Sequence, residues 1–418
     1  MSKIRIAVQG CCHGELDSIF KKVQQIHSRK ALDLLIILGD FQSIRDRKDM
    51  DSISVPPKYR KMGKFYKYYR NDIYKIPVPV LFIGGNHESM RHLMQLPYGG
   101  YVSPNIYYLG YSNVVWFKGV RIGSISGIYK EWDFDTIRPS WDKMEAQQWD
   151  NSIEYSNINI KSLYHVRRKD VIPLYMMNNK KQMDIMLSHD WPDEVAYHGN
   201  IEELLRIKPF FRKDINNHEL GSPIDWELLC RFKPKWWLSA HLHVRYKASI
   251  QHATKDSSDK VSDMNKDEIN LDLSDDDENI ETNKNNVELM EDDKPQTTEF
   301  LALDKCMPGR KWMDVIEVEP NEDHISYQDM SHNESLNLYW DKEFVRNLEL
   351  VQERKDLLNV PLNNITYENL FGKSLGPFDE TSSDNANESV YKVPKYTKGL
   401  QRRECEQTEY FEKTFLTR

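Results

Sequence analysis

No apolar run in this 418-residue chain approaches the roughly 18 residues a helix needs to cross a bilayer, so no membrane-spanning helix is expected. The opening Met-Ser-Lys-Ile-Arg-Ile-Ala-Val holds an apolar stretch too short for a signal-peptide core, which points to a soluble, intracellular protein. Cysteine is scarce: five in all, an odd number, with two adjacent at Cys11 and Cys12. That pattern excludes a disulfide framework and fits a reducing compartment. There is no internal repeat. What the chain does have is 39% hydrophobic residues, enough for a sizeable packed core.

Charge is unevenly placed. Residues 1–250 carry 37 Lys and Arg against 27 Asp and Glu, residues 251–297 carry 5 against 15, and residues 298–418 carry 15 against 23. A basic first part beside an acidic middle suits a polyanionic partner, and suits equally a tract that only balances charge for solubility.

Residues 1–250 read as an α/β catalytic domain. Residues 4–8, 34–38, 80–83, 185–188 and 236–239 are short apolar runs of strand type, and residues 15–28 form a helical pattern with Leu16, Ile19, Phe20, Val23 and Ile26 on one face. Residues 113–117 and 120–126 flank Lys118-Gly119 and predict a hairpin. From 251 to 297 Asp, Asn, Ser and Lys crowd out aromatic residues, which predicts a disordered segment. Strand-like runs return at 300–304 and 312–318. They are expected to complete the sheets of the first part, which makes the acidic tract an insertion. Within residues 298–418, the stretch beyond 325 is aromatic but weakly periodic, and its role stays open.

Five strand ends carry metal-ligand residue types: Cys11-Cys12-His13-Gly14, Gly39-Asp40, Gly85-Asn86-His87-Glu88, Ser188-His189-Asp190 and Ala240-His241-Leu242-His243. Each alone has a plainer reading, since a lone His after a strand is more often a satisfied turn or core residue and Gly-Asp is a common turn. Five such ends in one chain decide for chemistry, because sites in open α/β sheets form outside the carboxyl ends of strands. One carboxylate, several imidazoles and an amide oxygen suit Zn, Fe or Mn better than Ca or Mg, and the two oxygens of Asp40 can bridge two ions.

The order and spacing of these ends resemble the metallophosphoesterase superfamily, whose motifs run Asp-x-His, Gly-Asp, Gly-Asn-His-Glu/Asp, His and Gly-His-x-His. Two departures stand out: Cys11 replaces the first Asp, and Ala240 replaces the last Gly. The strings Gly10-Cys-Cys-His-Gly14, Leu38-Gly-Asp-Phe-Gln42, Gly84-Gly-Asn-His-Glu-Ser-Met90, Ser188-His-Asp-Trp-Pro192 and Trp236-Trp-Leu-Ser-Ala-His-Leu-His243 are similar to the lariat debranching enzymes. The resemblance implies a β-sandwich flanked by helices, with a loop insertion and a C-terminal extension. It also implies hydrolysis of the 2′-5′ phosphodiester at the branch point of excised intron lariats. Two divalent ions (Fe2+, Zn2+ or Mn2+) are implied, one at Cys11, His13, Asp40 and His243, the other at Asp40, Asn86, His189 and His241. His87 becomes the candidate to protonate the leaving 2′-oxygen, and Glu88 and Asp190 are expected to orient ligand imidazoles. Cys12 is expected to face the opposite way from Cys11 by strand alternation. The implied partner is branched RNA, with spliceosome-associated or RNA-turnover proteins beside it, for a monomer in the nucleus and also the cytoplasm.

Residues 129–169 interleave aromatic and basic side chains. Tyr129, Trp132, Arg138, Tyr164, His165 and Arg167 are candidates to stack on bases, at ~1–3 kcal/mol per base, and to pair with phosphates. Tyr164-His-Val-Arg167 resembles the closing motif of the debranching family's recognition insertion. At least one of Trp141 and Trp149 is expected to fill a local core. Residues 58–70 hold Lys58, Arg60, Lys61, Lys64, Lys67 and Arg70 and no acid, read as the solvated face of a helix whose Phe65, Tyr66 and Tyr69 pack inward. A phosphatase on the same metals is disfavoured because residues 41–46 read Phe-Gln-Ser-Ile-Arg-Asp, without the Asp-Arg-Gly such enzymes carry. A scaffold that lost its metals is disfavoured by the intact His and Asp set.

Overall fold

Alternation along the short apolar runs sets the architecture. In β1 (Ile4–Gln9) Ile4, Ile6 and Val8 face one core and Ala7 another; in β2 (Leu34–Ile37) Leu34 and Ile36 face the first, Leu35 and Ile37 the second. Strands buried on both faces belong to a sheet covered on each side. The computed structural model describes residues 3–70, 74–141, 160–179, 181–252, 296–328, 336–372 and 405–416. Most of the acidic tract and the middle of the insertion, Trp149 included, lie outside the described residues.

β3 (Val80–Phe82), β4 (Gly100–Ser103) and β5 (Ile106–Tyr108) extend the first sheet. β6 (Ser112–Phe117), β7 (Val120–Ile125), β8 (Ile185–Ser188), β9 (Trp236–Ser239), β10 (Tyr246–Gln251) and β11 (Thr297–Ala302) build a second. β12 (Met313–Val318) and β13 (Tyr339–Trp340) complete the pair. The strand orders are β12-β1-β2-β3-β5-β4 and β10-β11-β9-β8-β7-β6-β13. Ile36 and Leu81 of one sheet meet Ile122, Leu187, Leu238 and Leu301 of the other in a shared core. The helix Leu16–His27 lays Leu16, Ile19, Phe20 and Val23 on the outside of the first sheet, and the helices Arg168–Tyr175 and Pro223–Phe232 cover Met186 and Trp237 of the second. The result is the expected β-sandwich flanked by helices. The expected hairpin is present too, and Lys118 (φ 48°) and Gly119 (φ 77°) both take the left-handed values of a two-residue hairpin turn.

Residues C-terminal to the acidic tract are built into both sheets. β12 pairs antiparallel with β1, and β11 lies between β9 and β10. Gln251 pairs with Thr297, so the chain leaves and re-enters the sheet at facing positions. Further on, Asp341 caps the helix Lys342–Glu353 by accepting from Phe344 N, and takes Arg121 of β7 in a buried ion pair at 2.8 Å. Asn347 of that helix donates to the Pro173 carbonyl at 3.0 Å. The weak periodicity beyond 325 has its reason here: the helix buries Glu343 and Asn347 beside Phe344 and Val351, so its inner face is not apolar.

One expectation is corrected. The basic run is helical only over Phe65–Arg70, where Phe65 and Tyr69 are buried; Lys58, Arg60, Lys61 and Lys64 lie before it, in a single 3-10 turn and open loop. Arg60 takes extended backbone (ψ 131°) and Gly63 a left-handed one (φ 62°), which stops the helix from extending back through Lys58.

Candidate metal centre

β1, β2 and β3 run parallel in one sheet and β8 and β9 run parallel in the other, so their carboxyl ends share an edge of the sandwich. At those ends the chain leaves extended geometry abruptly. His13 (φ 49°), Asp40 (φ 49°), His241 (φ 56°) and His243 (φ 51°) all sit in the left-handed region. Such positions cost about 1–3 kcal/mol each and persist where the surroundings over-determine them.

The strained ends bring donors together. Cys11, His13, Asp40 and His243 each offer a ligand atom, all within 4.8 Å of one another, a set that can hold a metal ion. Nε2 of His13 lies 3.2 Å from Nε2 of His243 and 3.6 Å from Oδ2 of Asp40. A second group adjoins it: Oδ1 of Asn86 is 3.2 Å from both His189 Nε2 and His241 Nδ1, and His189 Nε2 is 3.6 Å from Asp40 Oδ1. Asp40 thus turns one oxygen to each group. Its Oδ2 is buried with no hydrogen-bond partner, which is what an absent cation leaves behind.

Electrostatics agree with this. Burial pushes the Asp40 carboxyl up, but His189, His13 and His87 together hold it well below the usual carboxylate range. Burial first, then the charges of His13 and Lys305, pushes His243 down to about 3, and burial brings His189 down to about 4. These two imidazoles are therefore held neutral at pH 7, as ligands must be. Burial and the Asp40 charge raise the Cys11 thiol well above its ordinary value, so it needs an adjoining cation to ionise. Cys12 packs with Ala7 and Phe20 on the outer side of the sheet while Cys11 faces the inner core.

Two glycines make room. A Cβ on Gly39 would lie 2.2 Å from His189 Nδ1, and one on Gly85 would lie 2.4 Å from Asp40 Oδ1. Glu88 and Asp190 do not orient the imidazoles as expected. Glu88, its carboxyl pushed up to about 7 by burial and Asp40, accepts from the backbone N–H groups of Phe41, Gln42 and Gly85 at 2.7, 2.8 and 3.0 Å. Asp190 accepts from Trp191 N. His189 is oriented by the Leu38 carbonyl, to which its Nδ1 donates at 2.7 Å. His87 stands beside the centre: its backbone N–H donates to Asp40 Oδ1 at 2.8 Å, its Nδ1 faces the Ser54 carbonyl at 3.2 Å, and its Nε2 lies 3.3 Å from Asn86 Nδ2.

The candidate RNA-contacting residues divide. Trp132 is 69% exposed and Tyr129 is half-buried. Tyr164, His165 and Arg167 are buried, and the Arg138 side chain is nearly so. The expectation that Arg138 and Arg167 pair with phosphate is not met by this geometry. Arg138 donates to the Leu163 and His165 carbonyls and to Asp170 at 2.7–2.9 Å, over the Tyr111 ring. Arg167 donates to Ser162 and His165. Both cations satisfy the carbonyls of the insertion's return, where water would otherwise have to reach. His165 is tied to Asp133, and the Tyr164 hydroxyl lies beside Ser54. Trp141 packs on a small cluster with Met90 and Leu163. A cleft of about 710 Å³ between Phe134–Arg138, Arg167–Asp170 and Leu358–Pro361 is lined by none of the metal-type donors.

Sequence reasoning missed Lys305. It follows β11, next to Cys306, whose N–H donates to the Cys11 carbonyl at 3.0 Å, and its charge bears on His13 and His243. It lies past the acidic tract, far from every motif, and no sequence signal marks it.

A sandwich with metal-type donors at five strand ends defines the calcineurin-like phosphoesterases, and that family matches residues 4–245. The C-terminal domain of lariat debranching enzymes matches residues 295–414. The chain is 49% identical to the lariat debranching enzyme of Saccharomyces cerevisiae over the whole of both chains. It is 40% identical to lariat debranching enzyme A of Xenopus laevis and 39% identical to the Homo sapiens enzyme, each over 85% of this chain but only 56% and 55% of theirs. The chain belongs to the lariat debranching enzyme family.

Proposed function

We propose that the chain hydrolyses the 2′-5′ phosphodiester at the branch point of excised intron lariats, using two divalent ions. Cys11, His13, Asp40 and His243 hold one ion, and Asp40, Asn86, His189 and His241 hold the other. The observation that carries this reading is the pair of donor groups meeting at Asp40, with its buried Oδ2 otherwise unsatisfied. The donor chemistry fits Zn2+, Fe2+ or Mn2+, and the Cys11 sulfur draws the first position towards Zn2+ or Fe2+. Bound ions of this kind supply Lewis acidity at the phosphate and lower the pKa of water.

The protein's own groups do the rest. The Ser54 carbonyl accepts from His87 Nδ1, so Nε2, which lies 3.3 Å from Asn86 Nδ2, is the nitrogen that would take up a proton released by the attacking water and pass it to the departing 2′-oxygen. Glu88 pins the backbone on both sides of Asp40, so its carboxylate keeps its aim as charge develops. Trp132 and Tyr129 offer stacking faces to unpaired bases near the branch, while Arg138 and Arg167 brace the segment that carries them. An excised intron as substrate favours the nucleus as the place of this work.

The test is a synthetic 2′,5′-branched RNA incubated beside its linear 3′,5′ counterpart. Release of the 2′ arm with the linear strand intact is the expected result. Cleavage of both at similar rates would make the chain a general phosphodiesterase.

A further inference from the structure

The basic residues 58–64, displaced from the helix expected for them, lie on a loop joined to the catalytic groups. The Ser54 carbonyl accepts from His87 Nδ1 at 3.2 Å, and the Tyr164 hydroxyl of the insertion lies beside Ser54. Lys64 N donates to the Gly14 carbonyl at 3.0 Å, one residue from His13. Gly14 (φ 72°) and Gly63 (φ 62°) press backbone to backbone: a Cβ on Gly63 would lie 3.2 Å from the Gly14 Cα. The loop is therefore fixed to the metal centre at both ends.

Its middle faces water. Arg60 is spent internally, donating to the Val55 carbonyl at 2.8 Å and meeting Asp51 at 3.3 Å, which sets the loop's shape. Tyr59 is 62% exposed, and the Lys58 ammonium lies 4.8 Å from its ring centroid. Among the described residues neither Lys58 nor Lys61 has an acidic partner. An exposed ring flanked in sequence by two exposed cations without acidic partners, on a braced loop, is the chemistry that grips single-stranded nucleic acid: stacking is indifferent to base identity and the ammoniums follow phosphates.

We propose that this loop holds one single-stranded arm of the RNA, Tyr59 stacking on a base and Lys58 and Lys61 pairing with phosphates on either side. It deepens the debranching reading and rests on it. Because the loop is tied to Gly14 and His87, an arm held there is aligned with the phosphate at the metal centre, and the loop acts on specificity, separately from the insertion.

The test uses the full chain, wild type beside a Lys58→Ala/Lys61→Ala variant and a Tyr59→Ala variant. The substrates are branched RNAs with arms of about ten nucleotides and a minimal branched RNA with one nucleotide per arm, at several salt concentrations. With long arms, kcat/KM is expected to fall about tenfold in each variant. The slope of log binding constant against log salt should shrink by about 1.4 in the double-lysine variant, from about 0.7 per lost phosphate contact. The minimal substrate should be cleaved at the wild-type rate. An unchanged salt slope with unchanged long-arm turnover overturns the inference. So does an equal loss on long and minimal substrates, because the loop would then act only by supporting the metal centre. Wild-type turnover separates the two readings: failure of the wild type to debranch overturns the proposed function, while the binding slope still reports on the loop.

Discussion

Asp40 faces three imidazoles with one carboxylate, and its neighbours are chosen for the space this takes. Asp40→Ala removes the carboxylate common to both donor groups. Turnover of branched RNA should fall by more than about 10², beyond what loss of an indirect metal partner costs, with thermal stability largely kept. Steady-state kinetics with metal in excess checks this, and near wild-type rates would contradict it. Gly39→Ala tests the same centre from behind. Its φ of 102° and the His189 ring 2.2 Å from the new methyl leave no accommodation, so His189 must move. Metal bound per chain, measured by elemental analysis, should drop together with activity. At this scale the donors were legible because most follow a short apolar run and lie beside a small residue. The fate of Arg138 and Arg167 was not: interleaved aromatic and basic residues say nothing of whether a guanidinium meets a phosphate or a carbonyl of its own loop.

The elements that carry these residues are loops braced by buried charge. The helix Arg47–Asp51 begins beside the Asp40 turn, and Asp49 within it accepts from Arg45 N, Nε and Nη2 at 2.9, 2.6 and 2.9 Å, both side chains buried. Burial opposes ionisation of Asp49, but the Arg45 hydrogen bonds and charge hold its carboxyl down at about 2 from an ordinary 3.8. A depressed carboxylate stabilises the fold fully above its unfolded value and loses that contribution as pH falls through the folded one. Asp49→Asn should therefore cost about 3–5 kcal/mol near pH 7, because the buried Arg45 loses the carboxylate that accepts three of its N–H groups. The gap from wild type should narrow between pH 4 and pH 2. Denaturant melts across that range decide it, and a pH-independent gap would assign the loss to packing. In the insertion, Trp132→Ala should lower kcat/KM on branched RNA by about tenfold through lost stacking, with a small chromogenic phosphodiester unaffected. The strands were readable as short continuous apolar runs, and the hairpin from Lys118-Gly119 between two of them. The loop before Phe65 reads as helix because its charges share a helical spacing, but Arg60 is extended and Gly63 left-handed, which breaks it.

At the scale of the molecule, the chain returns across the acidic tract to finish both sheets. Gln251 and Thr297 face each other in one ladder, so replacing residues 253–295 by a short Gly-Ser linker should leave debranching intact; loss of folded protein would show instead that the tract packs on the core. The far C-terminal part matters in a different way. Asp341 neutralises Arg121 inside the second sheet and receives the Trp116 indole N–H at 3.1 Å, so Asp341→Ala is expected to destabilise the whole fold by about 3–5 kcal/mol. That clasp was invisible in sequence because its two partners lie far apart along the chain and neither belongs to a periodic pattern. The most direct measurement of the central claim takes one preparation through metal removal and restoration. Metal content per chain and cleavage of 2′,5′-branched RNA are read at each step. The expected course is loss of cleavage in metal-free protein and recovery as Zn2+, Fe2+ or Mn2+ returns, approaching two ions per chain. Undiminished debranching by protein shown to carry no metal would contradict it.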